Sequence, residues 1–147
     1  MAIDAWIGPD PASAVAIRRA ALPPGTPGGV PARTDVEVLE RHPTAPLARV
    51  SCRIHTGRTH QIRVHMAHIG APLVGDPVYG GRPRLPKRPS PELKQALQQF
   101  PRQALHAKSL RFAHPIHSHE LSFESSLPED FAELLAALRR DLAEHAT

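Results

Sequence analysis

Two proline-rich stretches limit every helix and strand that this chain can form. Seventeen of its 147 residues are proline, which is roughly twice the usual share. Many of them cluster in Leu22–Pro31 and Arg82–Pro91. Because proline lacks a backbone N–H and fixes φ, neither stretch can continue a helix or a central strand. We therefore expect one domain over residues 1–147, with a flexible loop at 22–31 and a proline-rich loop at 82–91.

Composition favours a folded domain with an anionic partner. The chain is 41% hydrophobic and 22% charged, close to the averages for globular proteins. Its net charge of +4 favours nucleic acid as a partner, although an ordinary basic protein has the same charge. The single cysteine, Cys52, can form no internal disulfide, which fits a cytoplasmic location. No apolar stretch reaches the roughly 20 residues of a membrane-spanning helix, so no membrane partner is expected.

Alternating apolar residues predict strands in the first half of the chain. Val36 and Val38 alternate with charged residues, and the same period of two continues through Val50–Ile54. We expect these strands to be antiparallel neighbours joined by a turn at His42–Pro46. Ile3–Ile7 is a further short strand, stopped by glycine and proline.

Three other segments have a composition that permits a helix, the apolar period of a helix, or the residue types that begin one. Ala12–Ala21 permits only a helical turn or two. From Thr59 the apolar period changes from two to that of a helix, and Gly70 provides a stop, so a helix of about three turns is expected. Ser90 and Pro91 have the residue types of an N-cap and a first helical position, which predicts a second helix.

The last forty residues predict a hairpin followed by a helix. Leu110–Ala113 and Leu121–Glu124 each alternate apolar with polar residues. An apolar stripe from Phe131 to Leu142 has helical spacing, and Ser126 and Glu129 stand three apart, as in a capping box. Because strands and helices follow no regular alternation, the fold class is α+β, with a mixed, largely antiparallel sheet and flanking helices.

The densest cluster of polar side chains lies between His55 and Gly70, where a strand gives way to a helix. It contains Arg58, Gln61 and Arg63 beside several histidines. Helix N-terminal amides and a planar guanidinium both suit an anion such as phosphate. The alternative is that these arginines only cover a solvent-facing side of the helix.

Three histidines of this cluster do not have the spacing of a metal site. His65 and His68 can share a helix face, but His60 points elsewhere. No cysteine or carboxylate accompanies them at ligand spacing. We therefore expect no bound metal.

The following segment, Ala71–Gly81, brackets two polar residues with glycines. Asp76 is interpreted as a turn residue. The less favoured alternative is that it pairs with an arginine. Tyr79 either stacks on a nucleic-acid base or packs against the core. The sequence does not separate the two.

Several long motifs resemble a known family. HTGRTHQIRVHMAHIGAPLVGDPVYGG (His55–Gly81), RQALHAKSLRFAHP (Arg102–Pro115) and SSLPEDF (Ser125–Phe131) resemble the C-terminal half of RluA-type RNA pseudouridine synthases, in the family's order. IDAWIGPDP at the start resembles the preceding strand and loop. The insert at Lys87–Phe100 resembles the subgroup that acts on large-subunit ribosomal RNA.

The resemblance implies an isomerase that converts uridine to pseudouridine in RNA. The base is released from C1′ of the ribose, turned, and rejoined through C5, without a cofactor or metal. The family's catalytic aspartate lies in an HRLD-type motif that does not occur in these 147 residues. We therefore expect the C-terminal portion of a catalytic domain, inactive alone and able to self-associate through an exposed sheet edge. The alternatives are a non-catalytic RNA-binding module on the same scaffold and a generic basic α+β protein.

The resemblance also assigns roles to individual residues. Arg63 matches the arginine that pairs with the catalytic aspartate and orients it, so its guanidinium is expected to lack a carboxylate partner within this chain. The expected RNA-contacting residues are Arg58, His60, Gln61 and Tyr79. The residues expected to pack against the substrate base are Leu105 and Leu110.

Overall fold

The computed structural model describes residues 1–42 and 46–145 and has three antiparallel sheets with three helices in those ranges. The strand orders are β1-β4-β5, β2-β3 and β6-β7, which confirms the α+β class. The elements in chain order are β1 (Ala2–Asp4), β2 (Trp6–Pro9), β3 (Arg19–Leu22), β4 (Arg33–Arg41), β5 (Ala48–Ile54), α1 (Gln61–His68), α2 (Pro91–Gln99), β6 (Ser109–Ala113), β7 (Glu120–Glu124) and α3 (Glu129–His145).

The central hairpin follows the predicted alternation. Strands β4 and β5 are antiparallel, with Val36 opposite Cys52. Val36 joins a small core with Ile3 and Met66. The centre of the turn expected at His42–Pro46 lies outside the described residues.

The start of the chain departs from two predictions. The single strand expected at Ile3–Ile7 is divided at Ala5, and β1 and β2 belong to different sheets. Ala12–Ala21 permits a helical turn or two, but its last residues belong to β3 (Arg19–Leu22), which pairs with β2. A pairing partner in the neighbouring strand overrides the weak local helix preference here.

Helix α1 is shorter than expected at its beginning. His60 has a left-handed backbone conformation with φ of 57°, so the helix cannot extend back through it. At the other end, Gly70 has φ of 81°. Its N–H bonds to the Ala67 carbonyl, and the Ala71 N–H bonds to the Met66 carbonyl. This Schellman arrangement confirms the stop that Gly70 predicts.

Helices α2 and α3 pack together over a second core. The Ser90 hydroxyl accepts a hydrogen bond from the Leu93 N–H at 3.1 Å, which confirms the predicted N-cap. Leu93 and Leu97 are fully buried against Leu134 of the predicted apolar stripe. The capping-box prediction is wrong, because α3 begins at Glu129 and not directly after Ser126.

One buried carboxylate connects three elements around this core. Asp141 on α3 lies 2.9 Å from the His42 imidazole at the end of β4. Its other oxygen accepts the Ser90 N–H at 2.7 Å, at the start of α2. This contact holds the sheet end against both helices.

The predicted hairpin of β6 and β7 has one exposed apolar face. Register places Leu110 opposite Phe123 and Phe112 opposite Leu121, so all four side chains lie on one side. Leu110 is 60% exposed and Phe123 54%. No helix in the described ranges is both long and apolar enough to cross a membrane.

Candidate nucleic-acid interface

Gln61, the first residue of α1, is bonded entirely within the chain. Its amide nitrogen donates to the Arg33 carbonyl at 2.8 Å and to the Thr34 hydroxyl at 3.0 Å. Its amide oxygen accepts from the Thr56 hydroxyl and the Arg58 N–H. Gln61 is only 4% exposed. The Gln61 side chain therefore joins α1 to the end of the sheet, and the RNA contact expected of Gln61 stays a prediction.

His65 continues this buried network. Its Nε2 lies 2.9 Å from the Ala5 carbonyl, and its Nδ1 lies 2.8 Å from the Thr34 hydroxyl. A carbonyl can only accept, so Nε2 carries the proton and Nδ1 accepts. Burial lowers the pKa of His65 below its ordinary value. Within residues 1–42 and 46–145, no group of three or more histidine, cysteine or acidic side chains is arranged to hold a metal ion.

Arg63 forms a buried, bidentate ion pair with Asp76. Its Nε and Nη2 donate to the two carboxylate oxygens at 2.9 and 2.8 Å. The Arg63 side chain is 10% exposed and the Asp76 side chain 0%. The expectation that this guanidinium lacks a carboxylate within the chain is therefore wrong. The partner stands thirteen residues later, in the glycine-bracketed turn.

Asp76 combines both roles that the sequence left open. Its Oδ1 accepts the N–H groups of Val78 and Tyr79 at 3.0 and 3.1 Å, which is the turn chemistry. The same oxygen accepts from Arg63, so the turn and the ion pair share one carboxylate. Burial opposes ionisation, but these hydrogen bonds from Arg63, Tyr79 and Val78 hold the pKa of Asp76 below its ordinary value.

Tyr79 packs inside this site. Its ring contacts the core of Ile7, Ala32 and Val64, and the Arg63 guanidinium lies 5.1 Å from the ring centroid. Its hydroxyl accepts the Arg19 N–H at 2.9 Å and lies 2.9 Å from Nδ1 of His60. Of the two interpretations, the structure shows packing against the core. The RNA contact expected of Tyr79 stays a prediction.

Arg18 also contacts this site and pairs with Asp10. Asp10 lies in the IDAWIGPDP segment, whereas no motif marks Arg18. Arg18 lies 5.5 Å from the centroid of the Tyr79 ring. Its Nε donates to Asp10 at 2.9 Å, and its Nη1 donates to the Val78 carbonyl at 3.3 Å. The one feature in the sequence that could have indicated a role for Arg18 is that two basic residues are adjacent at 18–19.

The remaining expected site residues lie at or near the surface. Arg58 is exposed, and its Nε donates to the Pro31 carbonyl at 2.9 Å. Leu110 projects from the β6–β7 hairpin. Leu105 is half-buried before β6. The structure thus brings His60, Arg63, Asp76 and Tyr79 together. It places Leu105 just before the hairpin and Leu110 within it.

Comparison with known proteins gives a consistent set of matches. The family model described as RNA pseudouridylate synthase matches residues 14–68. The ribosomal large subunit pseudouridine synthase D of Haemophilus influenzae is 51% identical over 119 residues, which are 81% of this chain and 36% of that protein. The protein of the same name from Escherichia coli K12 is 50% identical over the same shares. This chain therefore spans about a third of the length of these curated relatives.

A solved structure has the same architecture. Human RNA pseudouridylate synthase domain containing 1 superposes with a TM-score of 0.59 and 28% identity. The match covers 95% of this chain and 59% of the human chain. The likeness extends over nearly all of the fold described above.

Proposed function

Because this chain belongs to the RluA-type pseudouridine synthase family, we propose that it is the C-terminal portion of a catalytic domain that isomerises uridine to pseudouridine in large-subunit ribosomal RNA. The names of the bacterial relatives support a ribosomal substrate. The portion holds the arginine side of the active site. The catalytic aspartate comes from a segment outside these 147 residues, so the polypeptide is inactive alone.

The geometry of Arg63 carries this proposal. Asp76 occupies its Nε and Nη2. Within the described part of the chain Nη1 has no hydrogen-bond partner and is not fully buried. A guanidinium clamped on one edge presents its remaining donors in a fixed direction. Arg63 can therefore orient a second carboxylate while Asp76 holds it still.

Asp76 is poorly suited to be the nucleophile itself. Its Oδ1 accepts three hydrogen bonds and its Oδ2 accepts one from Arg63. A carboxylate with its lone pairs engaged in this way is held in place and is weakly nucleophilic. Asp76 thus acts as the support of Arg63.

The exposed side chains suggest where RNA docks. Arg58 keeps both Nη groups without a partner in the described residues, so they are available to phosphate. The outer face of β4 and β5 is less suited, because Asp35 and Glu40 already neutralise the basic side chains around them. Leu105 and Leu110 are proposed to pack against the base, because they match the strand whose aliphatic side chains do so in the family.

Two further properties belong to this proposal. The exposed apolar face and free edges of the β6–β7 hairpin favour self-association when no other chain covers them. A cytoplasmic location is proposed because ribosomal RNA is modified there in bacteria and the single cysteine needs no oxidising compartment.

We expect no turnover from the 147-residue polypeptide on its own. Tritium release from ribosomal RNA carrying 5-tritiated uridine measures the reaction directly, since C5 loses its hydrogen on isomerisation. The account predicts release at the level of buffer, together with measurable RNA binding. Robust release by this polypeptide would show that one of its own residues supplies the acid. A non-catalytic RNA-binding module would also bind RNA without releasing tritium. Only an enzyme restored with its missing segment distinguishes the two hypotheses.

A further inference from the structure

We infer that His60 presents one N–H donor, at Nε2, to an oxygen atom of bound RNA, and that Tyr79 is the positioning residue that fixes this tautomer. The inference rests on the proposed RNA-binding function and makes it specific. It assigns to His60 a defined ring nitrogen, a defined donor role and a defined support.

A chain of three hydrogen-bonding groups carries the argument, and one direction along it gives every group a partner. The backbone N–H of Arg19 can only donate, and it donates to the Tyr79 hydroxyl oxygen at 2.9 Å. The remaining partner of that hydroxyl within the described residues is Nδ1 of His60, at 2.9 Å. The arrangement that satisfies the Arg19 N–H, the hydroxyl proton and Nδ1 together has the hydroxyl donating to Nδ1. Because Nδ1 accepts, the neutral ring carries its proton on Nε2.

The other ring nitrogen is open to a ligand. In the part of the chain that the structure describes, Nε2 of His60 has no hydrogen-bond partner and is not fully buried. The residue itself is half-buried. Nε2 is therefore at least partly exposed, on a ring that the protein holds by its opposite edge.

The surroundings keep the ring neutral. Partial burial lowers the pKa of His60 first, and the positive charges of Arg63 and Arg19 lower it further, while Asp76 opposes them. At neutral pH the ring is thus a donor on one side and an acceptor on the other. It does not act as a second phosphate-binding cation.

The backbone indicates that the position of this ring matters. His60 adopts a left-handed conformation with φ of 57°, which is uncommon for a residue other than glycine. Strained backbone of this kind is often found at functional sites. Here it turns the ring toward Tyr79 just before α1 begins.

The ligand class follows from the donor. A neutral N–H binds an oxygen acceptor, and RNA offers three of them: a phosphate oxygen, the ribose 2′-hydroxyl and a uracil carbonyl. Three probes separate these sources. They are an oligouridylate, its 2′-deoxy counterpart, and an abasic strand with the same phosphates and ribose sugars.

The tautomer is tested by nitrogen-15 NMR on the 147-residue chain, with the His60 signals assigned by their loss in His60→Gln. We expect Nδ1 to resonate as an unprotonated nitrogen and Nε2 as a protonated one. Tyr79→Phe keeps the ring against Arg63 but removes the hydroxyl, so the His60 signals should shift toward a mixture of tautomers. A proton on Nδ1 in the unsubstituted chain would overturn the inference.

The donor role is tested by binding with three matched variants. Gln places an amide N–H near the position of Nε2, whereas Asn places one near Nδ1. We expect His60→Ala and His60→Asn to weaken binding of the oligouridylate by about fivefold, the value of one lost hydrogen bond, and His60→Gln to retain most of it. Asn tolerates the left-handed backbone better than Gln. If backbone strain decided the result, His60→Asn would therefore bind better than His60→Gln. Thermal melting confirms that each variant is folded.

Each outcome has a distinct meaning. Loss with all three probes identifies phosphate, loss confined to the ribose probes identifies the 2′-hydroxyl, and loss confined to the probes with a base identifies uracil. Equal binding by the unsubstituted chain and His60→Ala overturns the inference while RNA binding stands. If the unsubstituted chain binds no RNA, the proposed function fails. The proposed contact of His60 with an RNA oxygen then fails too, whichever tautomer NMR shows.

Discussion

Asp76→Asn is expected to reduce the free energy of unfolding by about 3 kcal/mol or more, the usual cost of leaving one member of a buried ion pair without its partner. Asn keeps the shape of the side chain and can still serve the turn. It removes the charge that balances Arg63, whose side chain is only 10% exposed. Since a domain of this size is stable by roughly 5–15 kcal/mol, chemical denaturation should show a large shift in midpoint.

The chain contains a matched control for this variant. Asp130 also receives two hydrogen bonds from one arginine, Arg102, at 3.0 and 2.8 Å. The two side chains of that pair are 38% and 36% exposed, so water screens them. Asp130→Asn should therefore change stability only slightly. Equal losses in the two variants would mean that burial does not give the Arg63–Asp76 pair its importance.

Leu93→Ala is expected to cost about 2–5 kcal/mol, because it leaves a cavity between two packed helices. Leu93 is 0% exposed and lies in one cluster with Leu97, Leu134 and Ala137. Leu110→Ala provides the comparison. Leu110 is 60% exposed on the hairpin, and its removal should change the unfolding free energy by no more than about 0.5 kcal/mol.

Equilibrium unfolding in urea measures both leucine variants. A loss below about 1 kcal/mol for Leu93→Ala, outside the range for a buried leucine, would contradict the packing of α2 on α3. A large loss for Leu110→Ala would mean that the apolar face of the hairpin is covered in solution. Self-association is the covering that the account allows, so sedimentation at several protein concentrations would accompany that result.

Local patterns in the sequence were sufficient for most of the elements. The period of two predicts β4 and β5, and the residue types at Ser90 and Pro91 predict the start of α2, because each signal acts within a few neighbouring residues. Strand β3 could not be predicted in this way. Arg19–Leu22 has little strand character of its own and becomes a strand because β2 offers it a pairing edge.

The candidate site shows the same division. The motifs predict functional roles for Arg63 and His60, and the resemblance supplies the role predicted for Arg63. They do not reveal that Asp76 closes on Arg63 or that Gln61 is consumed by internal hydrogen bonds. Both facts depend on how the turn and the sheet end pack against α1. Patterns among neighbouring residues in the sequence do not contain this tertiary information.

The measurement that tests the account most directly is tritium release by a restored enzyme. The same 147 residues would be extended at the amino terminus with the segment that precedes the matched region in the Haemophilus influenzae relative. We expect this fusion to release tritium from uridine-labelled ribosomal RNA, and we expect Arg63→Lys in the fusion to abolish most of the release while the protein stays folded. Lysine keeps the charge but cannot bind Asp76 and a second carboxylate through one planar group. Release by the Arg63→Lys fusion at the rate of the unsubstituted fusion would contradict the account.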